Sequence, residues 1–146
     1  MSMSSELFLD AAYLIALAVS RDQHHERAIE LRDELKLSPK RLITTRAVAL
    51  EVGNALAKAR YRPAAVQLLR AFDLDPNVEV VQISEELYER ALRLYEDRPD
   101  KEWGITDCLS FVVMEERGLT SALTADAHYQ QAGFRALLRE RAIVNS

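Results

Sequence analysis

Short apolar segments alternate along this chain with longer segments in which apolar residues recur at helical spacing. The short segments are mostly apolar without a break, which is typical of strands that are covered on both faces. The predicted strands cover residues 7–9, 42–44, 78–81 and 121–124, with a candidate fifth strand at 134–138. These segments indicate a sheet that lies inside the molecule and has no solvent-facing side.

The intervening segments predict helices, because their apolar residues return every three or four positions. These helices cover residues 11–20, 22–36, 46–60 and 106–117, with two more that begin near Pro63 and Ser84. The predicted capping residues are Asp22, Thr45, Ser84 and Thr106 at helix N-termini and Gly118 at a C-terminus. Strands separated by helices predict an α/β fold in which a central, mostly parallel sheet of four or five short strands is covered by helices.

Length and composition indicate one globular domain over residues 1–146, with a tail at about 141–146 that is expected to fray. Of the 146 residues, 49% are hydrophobic and 29% are charged, which is ordinary for a globular chain. The longest apolar stretch, 11–19, is too short to cross a membrane, and no secretory signal is apparent. The single cysteine, Cys108, is interpreted as a small buried residue in a reducing compartment. We therefore expect a cytoplasmic protein with no membrane partner.

Four acidic residues lie at the end of an apolar segment or inside one, where a solvated charge is not expected. They are Asp10, Glu51, Asp107 and Asp126. Ligands of a parallel sheet bind at the carboxyl ends of its strands, and two of these acids directly follow strands. Converging carboxylates repel one another unless they are protonated or neutralised by cations. Mg²⁺, or alternatively Mn²⁺, is the expected neutraliser, because both ions prefer oxygen ligands. Taken singly, three of the acids also fit turn or capping roles, whereas Glu51 does not.

Two polar residues are placed to orient these acids. Asn54 follows Glu51 by three positions and so shares its helix face, and Thr124 lies two positions before Asp126 on the same side of an extended segment. Both are predicted to hold a carboxylate or a metal-bound water in place. A helix-face polar contact for Asn54 and ordinary strand preference for Thr124 remain open alternatives.

A net charge of −4 argues against a protein that holds nucleic acid with its whole surface. A local basic group, Lys58, Arg60 and Arg62, follows Glu51 by about two helical turns. We consider it a candidate phosphate-binding group. A solvated helix C-terminus, favoured by the helix dipole, is the alternative interpretation.

The order of these residues resembles the PIN domain, and in particular the small PIN ribonucleases that serve as VapC toxins. The resemblance covers essentially the whole chain. It rests on Asp10 after a strand and on the segments at 50–56, 107–111 and 123–129, followed by Gly133-Phe134. It implies a PIN-like three-layer fold, with Asp10, Glu51, Asp107 and Asp126 as metal ligands. The pair Asp10 and Asp107 is assigned first.

By the same resemblance, the activity is hydrolysis of RNA by Mg²⁺-activated water, leaving a 5′-phosphate and a 3′-hydroxyl group. A homodimer and a small antitoxin partner are also implied. His128 resembles a packing or supporting residue and takes no part in acid–base chemistry in this scheme. Trp103 is interpreted as a loop tryptophan that covers the core, with stacking at the mouth of the site as the alternative.

Other classes of protein compete with this interpretation. A metal-dependent DNA nuclease of related fold would use the same acids, and a PIN-like binding module without catalysis would be expected to have lost some of them. A receiver-like or phosphatase-like protein would need a second acid at the first strand and a lysine at a strand end, and neither is apparent.

Overall fold

In a computed structural model, which describes residues 6–141, five parallel strands form one sheet in the order β3-β2-β1-β4-β5. The strands are β1 (Glu6–Leu9), β2 (Arg41–Thr45), β3 (Val78–Val81), β4 (Ser121–Leu123) and β5 (Arg135–Ala136). All four pairings between neighbouring strands are parallel. The predicted central sheet is confirmed, and within the described residues it is parallel throughout.

Seven α-helices connect and cover these strands in the described chain. They are α1 (Ala11–Ala18), α2 (His25–Leu37), α3 (Arg46–Ala55), α4 (Arg62–Leu74), α5 (Glu85–Asp97), α6 (Ile105–Glu116) and α7 (Ala127–Gln131). Helix α1 contacts α2, α3 and α4, whereas α5 packs on α6, which also contacts β2 and α7. These two groups of helices enclose the sheet as predicted for a three-layer fold. No helix within residues 6–141 is long and apolar enough to cross a membrane.

The middle of the sheet is the most deeply buried part of the protein. Phe8 of β1 and Ile43 of β2 have no exposed surface, and neither do Ala122 and Leu123 of β4. Strands β1 and β4 pair with Leu9 opposite Leu123, and the backbone N–H of Asp10 donates to the Leu123 carbonyl at 3.3 Å. The carboxyl ends of β1 and β4 therefore stand side by side, and the residues that follow them are neighbours.

Several helix termini agree with the predicted caps. The side chains of Thr45 and Ser84 accept hydrogen bonds from the backbone N–H groups of Val48 and Leu87, which satisfies donors in the first turns of α3 and α5. Gly118 has φ +65°, the left-handed conformation that ends α6.

Two predicted N-caps are wrong. Helix α2 begins at His25, because Asp22 accepts a hydrogen bond from the His24 N–H at 2.8 Å and so closes a turn before the helix. Helix α6 begins at Ile105, one residue before the predicted cap Thr106, and its N-cap is Gly104. The Asp107 carboxylate accepts from the Gly104 N–H at 3.1 Å, which stabilises the earlier start.

The end of α3 also differs from the prediction. The helix ends at Ala55 and not near residue 60, since Gly53 and Asn54 are weak helix formers and the chain then turns towards α4. Strand β5 covers only two residues of the predicted 134–138, because Leu137–Arg139 forms a turn of 3₁₀ helix. The predicted frayed tail lies, apart from Arg141, outside the described residues.

Candidate active site

Asp10 is the most buried of the four predicted acids, with 8% of its surface exposed. It directly follows β1, and its Oδ2 accepts a hydrogen bond from the Thr124 hydroxyl at 2.7 Å. Burial raises the pKa of Asp10 above its ordinary value, and the nearby charge of Asp107 raises it further. The hydrogen bond from Thr124 is the largest of the opposing effects on this pKa, so the buried carboxylate is only partly stabilised by its neighbours.

Tyr129 lies beneath Asp10 in the aromatic core. The tyrosine is 1% exposed, and its hydroxyl is hydrogen-bonded to both Asp10 and Ser110. Its ring packs edge-on against Phe111 with ring centroids 5.0 Å apart. Burial holds the pKa of Tyr129 well above its usual range, so this hydroxyl remains a proton-bearing donor to the Asp10 carboxylate.

Thr124 connects the carboxyl ends of two neighbouring segments. While its hydroxyl donates to Asp10, the same oxygen accepts a hydrogen bond from the Asp126 N–H at 3.1 Å. Asp126 is the N-cap of the short helix α7, and its Oδ1 accepts from the His128 N–H at 2.8 Å. The Thr124 hydroxyl thus contacts the carboxylate of Asp10, whereas the sequence spacing suggested the carboxylate of Asp126, which it meets only through the backbone. Its role in orienting an acid for catalysis stays a prediction.

Asp107 faces this pair from the first turn of α6. Its Oδ2 accepts from the Gly104 N–H at 3.1 Å and lies 3.0 Å from Nδ1 of His128. Burial raises the pKa of Asp107, and the negative charge of Asp126 raises it further, while the His128 hydrogen bond opposes both effects.

Glu51 completes the group from α3. Although its side chain is exposed, burial of the carboxyl group raises its pKa to about 7, and the charges of Asp10, Asp107 and Asp126 add to the shift. Since each of the other three acids contributes, all four carboxylates lie close enough to interact. The structure thus brings together the four acids that the sequence singled out. Asn54, one helical turn after Glu51, is also exposed, and its predicted role remains untested.

His128, which the resemblance assigned to packing or support, contacts two of the acids directly. Its Nδ1 lies between two acids, 3.0 Å from Asp107 Oδ2 and 3.4 Å from Asp126 Oδ1. Asp126 and His128 stand two residues apart at a helix start, where short-range contacts are common. This spacing is the one sequence signal for a contact between Asp126 and His128. The proximity of His128 to Asp107, in contrast, depends on the packing of α6 against α7.

The donor set of this pocket fits a hard divalent cation. Carboxylates whose pKa values are raised by burial and by one another are stabilised when a cation enters, and carboxylate oxygens are the ligands that Mg²⁺ and Mn²⁺ accept most readily. One oxygen of Asp107, one of Asp126 and a ring nitrogen of His128 lie within 4.8 Å of one another. Among the described residues, this group contains two of the four predicted ligands and does not include Asp10 or Glu51, so the four-acid metal site stays a prediction.

The predicted basic group does not lie at the C-terminus of α3. Lys58 and Arg60 are exposed in the loop after α3, and Arg62 is the first residue of α4. The Arg62 guanidinium donates twice to the Ala57 carbonyl, at 3.0 and 2.7 Å, so it is already used in holding the loop. This geometry corrects the alternative view of the group as a solvated C-terminus of α3. The Arg60 guanidinium lies over the Tyr61 ring, 4.7 Å from its centroid, so Arg60 also has a neighbour in this loop.

Trp103 and Cys108 have the structural roles that were expected. The indole is 5% exposed, its Nε1 donates to Gln131 at 3.1 Å, and its ring packs edge-on against Phe111 at 5.0 Å. Cys108 is completely buried. Trp103 lies in the loop that precedes Asp107, and its side chain packs into the core.

A parallel sheet with acidic side chains gathered near the carboxyl ends of its strands defines a class of α/β protein with an acidic site that could hold a divalent cation. The family model of the PIN domain matches residues 7–135, and the chain belongs to the PIN-domain family. The resemblance inferred from the order of the acids is thereby confirmed.

Among characterised proteins, the chain is similar to the 23S rRNA-specific endonuclease VapC20 of Mycobacterium tuberculosis. The two are 27% identical over 128 residues, which is 88% of this chain and 95% of the relative, and the same figures hold for the protein of a second strain. The crystal structure of VapC20, described as a sarcin–ricin loop-cleaving toxin, superposes with a TM-score of 0.76 at 26% identity. That match covers 88% of this chain and 95% of VapC20. The chain is therefore a homologue of a VapC-type toxin over nearly its whole length.

Proposed function

We propose that this protein is a metal-dependent endoribonuclease and the toxin of a toxin–antitoxin pair. The observation that carries the proposal is the mutual influence of four acids, since the charges of Asp10, Asp107 and Asp126 all raise the pKa of Glu51, in a chain of the PIN-domain family. A catalytically silent binding module has no need to keep four mutually repelling carboxylates. Their retention supports an enzyme.

The nature of the substrate is supported by the relatives. VapC20 is named as an endonuclease specific for 23S rRNA, and its structure is described as that of a toxin that cleaves the sarcin–ricin loop. We infer that this chain also hydrolyses RNA and that a structured ribosomal RNA loop is the first substrate to test. This support favours an RNase over the alternative DNA nuclease.

Asp10, Glu51, Asp107 and Asp126 are the residues that would hold the metal, with Mg²⁺ as the expected ion and Mn²⁺ as the alternative. When bound, such an ion supplies positive charge for activating water and for stabilising the charge that develops on the phosphate. The remaining residues position the acids. Thr124 and Tyr129 fix the orientation of Asp10, and the Gly104 N–H fixes that of Asp107.

The protein's partners follow from the proposed toxin role. We infer a small antitoxin that blocks or distorts the acidic pocket, a homodimeric assembly and action in the cytoplasm, where ribosomal RNA resides. The toxin role is tested by inducing the chain in a bacterial host. Wild type should arrest growth, Asp107→Asn should not, and co-expression of the neighbouring antitoxin gene should restore growth. Equal arrest by both chains would contradict this role.

The activity is tested with purified protein, a sarcin–ricin loop RNA and a DNA strand of the same sequence. RNA should be cut in Mg²⁺ or Mn²⁺ and not in EDTA, and the products should carry a 5′-phosphate. Equal cutting in EDTA would exclude the metal mechanism. Preferential cutting of DNA would indicate that the protein is a DNA nuclease and not an RNase.

A further inference from the structure

The imidazole of His128 lies between two of the four acids, yet the proposed metal site assigns it no role. We propose that Nδ1 of His128 is a nitrogen ligand of the metal site, next to Asp107 and Asp126, and that it shifts the preference of the site from Mg²⁺ towards Mn²⁺. The inference rests on the proposed metal-dependent function and adds a ligand of a different chemical type to the four carboxylates.

The spacing of the three donor atoms fits the ligand shell of one ion. Nδ1 of His128 lies 3.0 Å from Oδ2 of Asp107 and 3.4 Å from Oδ1 of Asp126. Around an ion with bonds of about 2.1 Å, neighbouring ligand atoms stand about 3.0 Å apart in an octahedron and about 3.4 Å apart in a tetrahedron. An ion bound here would replace the hydrogen bond between Nδ1 of His128 and Asp107, and all three donor atoms lie within 4.8 Å of one another.

Local backbone structure holds this arrangement in place. Asp126 caps α7 by accepting the His128 N–H at 2.8 Å, which ties the carboxylate to the residue that carries the imidazole. Asp107 is held from the other side by the Gly104 N–H at 3.1 Å. Each acid is thus held by its own backbone N–H donor. The two carboxylates therefore keep their places on either side of the imidazole.

The chemical identity of the donor predicts the change in metal preference. Mg²⁺ strongly prefers oxygen ligands and has little tendency to bind nitrogen. Mn²⁺ also accepts carboxylate oxygens, but it is a first-row transition ion and stands at the start of the series in which affinity for nitrogen ligands rises, so an imidazole costs it less than it costs Mg²⁺. Asp10 and Glu51 offer only carboxylate oxygens. The side of the pocket formed by Asp107, Asp126 and His128 is therefore the part expected to favour Mn²⁺.

The chain has three histidines, which makes a direct spectroscopic test practical. Mn²⁺ bound to the metal-free full-length protein should give a pulsed electron paramagnetic resonance spectrum with ¹⁴N coupling from a directly coordinated imidazole. The coupling should be lost in His128→Asn and retained in the matched control His24→Asn, since His24 lies at the start of α2.

Calorimetry of Mg²⁺ and Mn²⁺ binding gives a second readout that does not involve activity. Substituting His128 with asparagine should lower the ratio of Mn²⁺ affinity to Mg²⁺ affinity, and the control should leave this ratio unchanged. A wild-type spectrum with bound Mn²⁺ but no nitrogen coupling would overturn the inference and leave the four-acid site intact. An unchanged metal preference in His128→Asn would also overturn it. Failure of the wild-type protein to bind either ion would overturn the proposed metal-dependent function itself.

Discussion

The Thr124 hydroxyl donates a 2.7 Å hydrogen bond to the Asp10 carboxylate across 114 residues of sequence. Parallel pairing of β1 with β4 makes this contact possible, because it places the residues after both strands at the same edge of the sheet. The threonine has no exposed surface, and Asp10 is almost as buried. Replacing either residue therefore changes both the stability of the fold and the electrostatics of the pocket.

We predict that Thr124→Val weakens metal binding as well as stability. The valine removes the donor to Asp10, which should cost about 1–3 kcal/mol of unfolding free energy and reduce metal affinity about tenfold. The matched control is Thr44→Val. Thr44 is equally buried and donates to the Leu9 carbonyl at 2.7 Å, but to no carboxylate. Denaturation and calorimetry should show a similar loss of stability for both variants and a loss of metal affinity only for Thr124→Val. Equal metal affinity in the two variants would contradict an orienting role.

Asp10→Asn and Asp107→Asn should abolish RNA cleavage without unfolding the protein. Each substitution removes a carboxyl group whose pKa is raised by burial. In EDTA the variants should therefore melt at the wild-type temperature or above it. Cleavage should fall by at least about 100-fold, or roughly 2.7 kcal/mol of transition-state stabilisation. Asp33→Asn, an exposed change on α2, is the control. Unfolding of both active-site variants in EDTA would instead indicate a structural role for these acids.

The stability of the metal-free protein should fall as the pH rises from about 5 to about 7.5. The pKa of Glu51 is raised from 4.5 to about 7, so the folded state holds this proton more tightly than the unfolded chain does. The stability that the Glu51 proton contributes is complete below pH 4.5 and is lost as the pH rises through about 7. The raised pKa values of Asp10 and Asp107 act in the same direction. Thermal melts in EDTA should show this trend.

The matched variants for the pH experiment are Glu51→Gln and Glu89→Gln. The first should flatten the pH dependence because glutamine does not ionise, whereas the second changes an exposed acid of α5 and should leave it unchanged. Added Mg²⁺ should raise the melting temperature more at pH 7.5 than at pH 5. A melting temperature in EDTA that rises across this range would contradict the pKa assignment.

Lys58 and Arg60 are predicted to contribute phosphate contacts. Replacing both by alanine should weaken RNA binding and reduce the slope of log affinity against log salt concentration by about 1.4 units, since each lost contact with single-stranded RNA accounts for roughly 0.7. Arg62 is left unchanged because its guanidinium holds the Ala57 carbonyl. The control pair, Arg32→Ala with Lys36→Ala, removes equal charge from exposed positions of α2. If wild type and the Lys58/Arg60 variant have the same salt slope, the phosphate contacts lie on another surface of the protein.

Local sequence signals predicted much of the fold but failed where they were weak. Thr45 and Ser84 were identifiable as caps because their chemistry acts within one turn. Helix α7 was missed because its five residues are too few to show a helical period. The end of α3 was placed too late because the apolar pattern continues beyond Ala55, whereas the backbone turns after Gly53 and Asn54.

The sequence by itself determined where the first four strands lie and which acids are set among apolar neighbours, because both properties are local. It also established the order of the four acids that is typical of PIN domains. Only the tertiary structure decided that these acids share one pocket and that His128 joins Asp107 to Asp126. It also decided that Arg62 holds a loop. The physical reason is that burial and Coulomb interactions depend on distance in space, which the packing of β1, β4, α3, α6 and α7 sets and separation along the chain does not.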